Sequence, residues 1–231
     1  MDVGELRVNL ELKSLHDRIS KCQRCPELEN KVPLLFMPNT HVKIMVVTQG
    51  PKGERVSRDK MREVKRDVLS PANIFMYPFL YTIFNGRFRP DGEIEKESST
   101  AYWTHVRKCF MEGEKRRILK RCSEEYLEEE IRIISPKLTI AVGDRAANFF
   151  SRFDDDLEKV LRTGLEIAFL QQENQFYSLK APELGVHASL TVLPHPSGQN
   201  ARFWKKLGKD QRTVAILEKL RRTVDATISA Q

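Results

Sequence analysis

The sequence predicts an α/β fold: a largely parallel sheet covered by helices on both faces. Three observations carry this. Four short apolar runs, at 43–49, 99–106, 137–142 and 189–194, have strand length and are rich in β-branched and aromatic residues. The runs KIMVVTQ, KLTIAVG and SLTVLP are nearly continuous in apolar character, as in strands buried on both faces. Segments of helical character lie between the runs, and such alternation favours crossover connections and parallel strands.

In chain order, residues from Leu12 onward read as a helix running into a turn at Cys22–Cys25. The first strand, 43–49, ends at Gly50-Pro51, a strong stop. Residues 56–69 alternate in charge, as an exposed helix does. SPANIFMYPFLYTIFNG (70–86) is dense in aromatics and reads as a helix packed on the core or a pocket wall. STAYWTHV (99–106) is the second strand and leads to Cys109. SEEYLEEEIRIISP (123–136) reads as a helix with Ser123 as N-cap, glutamates in its first turn and a stop at Pro136. After the third strand, Asp144 is placed to cap a helix through Phe150. LEIAFL and QFYSL, either side of a polar QQEN, read as a hairpin. The last core strand is 189–194, and 202–227 forms a long basic amphipathic helix.

The 231 residues suffice for one domain spanning 1–231 with a real core, and no repeat or linker divides them. No apolar stretch is long enough for a membrane span, and the charged N-terminus lacks the pattern of a signal peptide. The expected location is therefore the cytoplasm, and the expected state a monomer. The formal net charge of +7 is unevenly spread. Arg202, Lys205, Lys206, Lys209, Arg212, Lys219, Arg221 and Arg222 face only Asp210 and Glu218 along one stretch, and Lys115, Arg116, Arg117, Lys120 and Arg121 form a second cluster. Clustered cations point to a phosphate-bearing partner, although a solvated helix face produces the same pattern. The chain has no G-x4-G-K-[ST] loop and no H-E-x-x-H motif.

Four cysteines are present: Cys22 and Cys25 as C-x2-C, then Cys109 and Cys122 as C-x12-C. Disulfides are uncommon inside cells, so the set reads as a four-thiolate site, suited to zinc or to an iron–sulfur cluster alike. Four free buried thiols are the bland alternative. The other conspicuous stretch is VLPHPSGQN (192–200). A buried strand runs into Pro194-His195-Pro196, where two prolines remove backbone donors and stiffen the chain around the histidine. In parallel sheets ligands bind beyond the carboxyl ends of the strands, which is where His195, Gln49 and His105 fall.

These segments, taken together in order, resemble the uracil-DNA glycosylase superfamily, most closely its iron–sulfur family 4. The resemblance runs from about residue 12 to 210. CQRCPEL is similar to the family's C-x2-C-x-L opening, and IMVVTQGPKGE to its strand followed by G-E-x-P-G. YWTHVRKC is similar to T-N-V-V-K-C. CSEEYLEEEIRIISPKLTIAVGDRAANFF resembles a cysteine, a helix, Pro-Lys, a strand and Gly-x-x-Ala. VLPHPSGQN resembles the H-P-S motif. The resemblance implies a three-layer α/β/α sandwich with a central four-stranded parallel sheet. It also implies a [4Fe–4S] cluster on the four cysteines, with zinc as the alternative, and uracil-containing DNA as the partner.

The same resemblance implies the site. Such enzymes flip the nucleotide out of the duplex to reach its glycosidic bond. His195 corresponds to the donor that stabilises the leaving base. Gln49 stands where the family has its catalytic acid; an amide cannot act as a base but can orient water through its oxygen. Glu54 or Asp59 are carboxylates near enough in sequence to substitute. His105 replaces the asparagine that reads the base edge, and Lys52 replaces a glycine. Gly50 and Pro51 fall in the base-contacting loop, and Phe79 is the candidate to stack on the base. Ser197, Gln199, Asn200, Arg202, Lys205 and Lys206 would face DNA, with Arg202 or Phe203 as wedge. The expected activity is excision of uracil or a related deaminated base. The alternatives are a nucleic-acid-binding member of the fold that lost catalysis with its acid, and a zinc-stapled enzyme of another class.

Overall fold

The computed structural model describes residues 3–25, 33–50, 76–92, 97–109, 116–196 and 210–230. Expectations for Pro51, Lys52, Glu54, Asp59, the helix at 56–69 and residues 197–209 lie outside them, including Ser197, Gln199, Asn200, Arg202, Phe203, Lys205 and Lys206. Helix α1 spans Val3–Ser20, strand β1 Ile44–Thr48, α2 Met76–Ile83 and β2 Tyr102–His105. Then come α3 (Arg116–Cys122), a π-helical turn (Ser123–Leu127), α4 (Glu128–Ile134), β3 (Leu138–Val142) and α5 (Asp144–Phe150). The chain continues through α6 (Asp155–Leu161), α7 (Leu165–Leu170), β4 (Tyr177–Ala181), β5 (Val186–Leu193) and α8 (Gln211–Ser229).

The strands form one sheet in the order β2-β1-β3-β5-β4. Four are parallel, with Thr48 opposite His105, Val46 opposite Ile140, and Ile140 opposite Thr191. The fifth, β4, is antiparallel to β5, with Leu179 opposite Ala188. The α/β sandwich is therefore as expected, but the sheet has five strands rather than four.

Side-chain alternation along β1 explains the layering. Met45 and Val47 point to one core, with Leu12, Leu15 and Ile19 of α1, Leu127 and Ile131 of the π-turn and α4, and Phe150 of α5. Ile44 and Val46 point to the other, with Phe36, Leu80, Phe84, Trp103 and the Ile216, Leu220 and Val224 stripe of α8.

Several local readings need correction. LEIAFL is helix α7, not a strand: Gly164 at φ +119° opens it, and Ala168 and Phe169 bury one side. The antiparallel hairpin is instead β4–β5, turned by Pro182–Leu184 and by Gly185 at φ +68°. Ser123 is not an N-cap, because helix already runs from Arg116; its hydroxyl donates back to the Lys120 carbonyl. Gly143, not Asp144, precedes α5 as its cap, with φ +89°. Helix α1 begins well before Leu12. Among the described residues, no helix is long and apolar enough to cross a membrane.

Candidate nucleic-acid site and cysteine recess

The strand order reverses at β1. The chain leaves β1 toward β2 on one side and returns to β3 on the other, and ligand crevices in open α/β sheets form outside the carboxyl ends at such a switch. Gln49 and Gly50 lie at the end of β1, both half-buried. Gly143 ends β3, and its N–H donates to the Leu193 carbonyl at 2.8 Å, which holds the exit of β5 beside it. His195 then lies against Gly143: a Cβ placed there would sit 3.4 Å from His195 Cβ and 3.8 Å from its Cδ2. Position 143 needs glycine for its positive φ, and a Cβ there would meet His195 only at ordinary van der Waals distance.

His195 is half-buried at the sheet's carboxyl edge, with Pro194 buried beneath it and Pro196 half-buried beyond. β1 and β5 flank β3, so their ends stand about 10 Å apart, two strand spacings. Gln49 and His195 therefore follow the strands on either side of β3, at the same carboxyl edge of the sheet.

His105 ends β2 deeper in the structure. It is only 2 % exposed, beside the rings of Phe36 and Trp103. Its Nδ1 shares a 2.5 Å hydrogen bond with the Thr48 hydroxyl, while Nε2 is buried with no hydrogen-bond partner among the described residues. Burial, reinforced by the charges of Lys108 and Arg107, pushes its pKa down to about 3, so the ring is neutral at ordinary pH. A neutral imidazole tied at Nδ1 leaves one ring nitrogen, Nε2, without a hydrogen bond among the described residues. Phe79, on α2, is half-buried against the aromatic core on the Trp103 side of the sheet.

The four cysteines come together. Cys22 and Cys25 follow α1, Cys109 follows β2 and Cys122 ends α3, and all four line one small, partly open recess with Ile19, Arg107, Lys108, Ile118 and Tyr126. None is in a disulfide. The Lys108 N–H donates to Cys122 Sγ at 3.3 Å, and the Arg121 guanidinium reaches Cys25 Sγ at 3.8 Å and the Arg24 carbonyl. Burial, then the neighbouring Cys122, Cys22 and Cys25, pushes the Cys109 thiol up to about 12. Burial also raises Cys122, against the opposing pull of Lys108. Among the described residues, no three His, Cys, Asp or Glu side chains close to the spacing of ligands on one metal ion. The donor set nonetheless suits a thiophilic group: four sulfurs, with the Arg107 and Arg121 guanidinium groups beside them.

Behind the recess lies a buried network that the sequence reading missed. Lys108 Nζ donates to Glu130 at 2.5 Å, to Thr104 Oγ1 at 2.7 Å and to the His105 carbonyl at 2.6 Å. Glu130 also accepts from Tyr102 at 2.8 Å and Thr104 at 2.9 Å, and Tyr102 OH meets His16 Nε2 at 3.1 Å. The ammonium's three donors and both carboxylate oxygens are thereby engaged. The only signal in the sequence was Arg107-Lys108, two cations at the end of a buried strand.

Two cations of the basic stripe on α8 have partners within the fold. Lys219 donates to the Gln172 and Glu173 carbonyls and lies over the Phe176 ring, and Arg212 approaches Glu173.

Comparison with known families fits this architecture. The profile of the uracil DNA glycosylase superfamily matches residues 36–221, and the chain belongs to that superfamily. No curated protein matches it. The matched span takes in the whole sheet, His195, Gln49 and His105, and Cys109 and Cys122; Cys22 and Cys25 precede it.

Proposed function

We propose that the chain is a DNA glycosylase of the iron–sulfur kind, which extrudes uracil or a related deaminated base and hydrolyses its N-glycosidic bond. The observation that carries this reading is the seating of His195 against Gly143 at the switch point, across from Gln49, in a chain of this superfamily. Cleavage sends the C1′–N bonding pair onto the base and leaves the sugar oxocarbenium-like. His195 donates a hydrogen bond to the departing base oxygen; one such preorganised donor is worth about 2.7–4 kcal/mol. The Gln49 amide oxygen accepts a hydrogen bond from the water that attacks C1′. His105 Nε2 reads the base edge, Gly50 and Pro51 let the backbone approach the base, and Phe79 stacks on it. Ser197, Gln199, Asn200, Arg202, Lys205 and Lys206 grip the flanking backbone.

Cys22, Cys25, Cys109 and Cys122 hold a [4Fe–4S] cluster in this reading. When bound, the cluster ties the end of α1 to β2 and α3. What supports it is the all-sulfur donor set with Arg107 and Arg121 beside it. Iron and sulfide analysis with an absorption spectrum on anaerobically purified protein tests it; a colourless zinc protein overturns it.

One observation favours a second reading. Gln49 is an amide where the resemblance implies a carboxylate, so a member that binds nucleic acid without cutting is the alternative. Incubation with oligonucleotides carrying uracil, hypoxanthine or xanthine, followed by alkaline strand scission, separates the two. Cleavage of any of them supports the enzyme. Binding without cleavage by protein with its metal intact supports the second reading.

A further inference from the structure

We infer that Thr48 is a positioning residue: its hydroxyl donates to His105 Nδ1 and so leaves the ring proton on Nε2, which makes His105 a hydrogen-bond donor to an exocyclic oxygen of the base. The inference rests on the reading of His105 as the residue that meets the base edge. It deepens that reading by naming the class of base. A base qualifies by the carbonyl oxygen that deamination leaves, as in uracil, hypoxanthine and xanthine, whatever the ring atom beside it carries.

The register of β1 and β2 sets Thr48 opposite His105, and the hydroxyl meets Nδ1 at 2.5 Å. Both residues are buried. Phe36 and Trp103, stacked on each other, flank the imidazole with ring centroids 6.4 and 5.9 Å from it. Turning the ring over would put carbon in place of Nδ1 and give up the bond to Thr48. Burial holds the ring neutral, so it carries one N–H, and the hydroxyl decides which nitrogen has it. Among the described residues the Thr48 hydroxyl has no other hydrogen-bond partner, and Nε2 has none. If Nδ1–H donated to the hydroxyl, the hydroxyl proton and the Nε2 lone pair would both go unmet indoors. If the hydroxyl donates to Nδ1, both of those groups are satisfied and Nε2–H alone is left. The second arrangement costs less, and an orphaned buried N–H is rare enough to mark a place for an acceptor. A base carbonyl supplies one. An amino group in its place sets donor against donor.

Nitrogen-15 spectra of the full-length protein at pH 7, with His105 assigned by its loss in His105→Asn, read the tautomer directly. Nε2 is expected to resonate as an N–H nitrogen and Nδ1 as one bearing a lone pair. Thr48→Ser is expected to keep this pattern, and Thr48→Val to move Nδ1 toward the position of a nitrogen without a hydrogen bond. Binding is measured with oligonucleotides protected from cleavage by a 2′-fluorine and carrying uracil, 3-deazauracil, 4-thiouracil or cytosine. Replacing the ring N–H by C–H in 3-deazauracil is expected to leave affinity nearly unchanged. The weak sulfur acceptor of 4-thiouracil is expected to lower it about tenfold, the loss of roughly one hydrogen bond, and cytosine to lower it further. Thr48→Val is expected to erase most of the preference for uracil over 4-thiouracil, and Thr48→Ser to retain it. A proton on Nδ1, or an affinity that falls with the ring N–H and not with the oxygen, overturns the inference. A proton on Nε2 with equal affinity for all four bases overturns the base-edge reading beneath it. Neither measurement depends on cleavage.

Discussion

Of the side chains at the crevice, His195 has the most specific consequence. Its backbone is fixed by two prolines and its ring rests on a glycine, so removing it leaves the sheet intact. His195→Ala is expected to slow base excision by about 10²–10³-fold with little change in oligonucleotide affinity, as loss of one preorganised donor does. Single-turnover cleavage and a binding titration on the same preparation check it; equal losses of rate and affinity would mean that the ring grips DNA instead. Gln49→Glu restores a carboxylate, and a gain in cleavage rate is expected because general-base help is worth 10² or more. His105 makes a prediction about stability. Below about pH 6.5 the unfolded chain protonates this ring, whereas the folded chain refuses the proton until about pH 3. Its contribution is thus complete above pH 6.5 and declines on acidification, by about 1.4 kcal/mol per pH unit across that window. Urea midpoints of the parent and His105→Asn at pH 7, 6 and 5 read the difference; parallel curves would refute it.

Among elements, the exit of β2 concentrates the most interactions. Lys108 and Glu130 are 1 % and 0 % exposed and join β2 to α4 beneath the recess. Breaking such a pair strands a charge indoors, so Glu130→Gln is expected to cost about 3–5 kcal/mol in chemical denaturation, while Lys108→Met with Glu130→Leu together cost less than their sum. Additive losses would show that the two side chains do not act as a pair. This network was barely legible beforehand: it joins residues far apart in the chain, and Arg107-Lys108 at the end of a buried strand is its one local trace. What was legible had local causes. Continuous β-branched runs marked β1, β3 and β5, and prolines marked the His195 turn. The cysteine set was readable because spacing and chemistry coincide. LEIAFL misled because six apolar-rich residues fit either period; the glycine before it opens a helix, and Pro182 and Gly185 make the turn that LEIAFL was given. The start of helix at Arg116 was hidden because a basic run masked Ile118 and Leu119, which it buries.

For the molecule as a whole, the question is which of its excess cations meet DNA. The net charge of +7 invites the long C-terminal stripe as the answer, yet Lys219 is committed to carbonyls and an aromatic ring and Arg212 leans on Glu173. Arg121 is bound to the Cys25 segment, and Arg87 pairs with Asp225. A cation already holding carbonyls or a carboxylate releases no DNA counterion without first giving up those bonds. In the proposed reading the phosphate grip falls to Arg202, Lys205 and Lys206, just past His195 in the chain. Each phosphate neutralised contributes about 0.9 to the slope of log affinity against log salt on duplex DNA. Lys205→Ala with Lys206→Ala is expected to lower that slope by about 2, whereas Arg212→Ala with Lys219→Ala leaves it unchanged and instead loosens α8. Binding isotherms between 50 and 200 mM salt decide the matter. A slope that follows Arg212 and Lys219 rather than Lys205 and Lys206 would move the DNA track onto α8, away from the sheet edge where His195 and Gln49 lie.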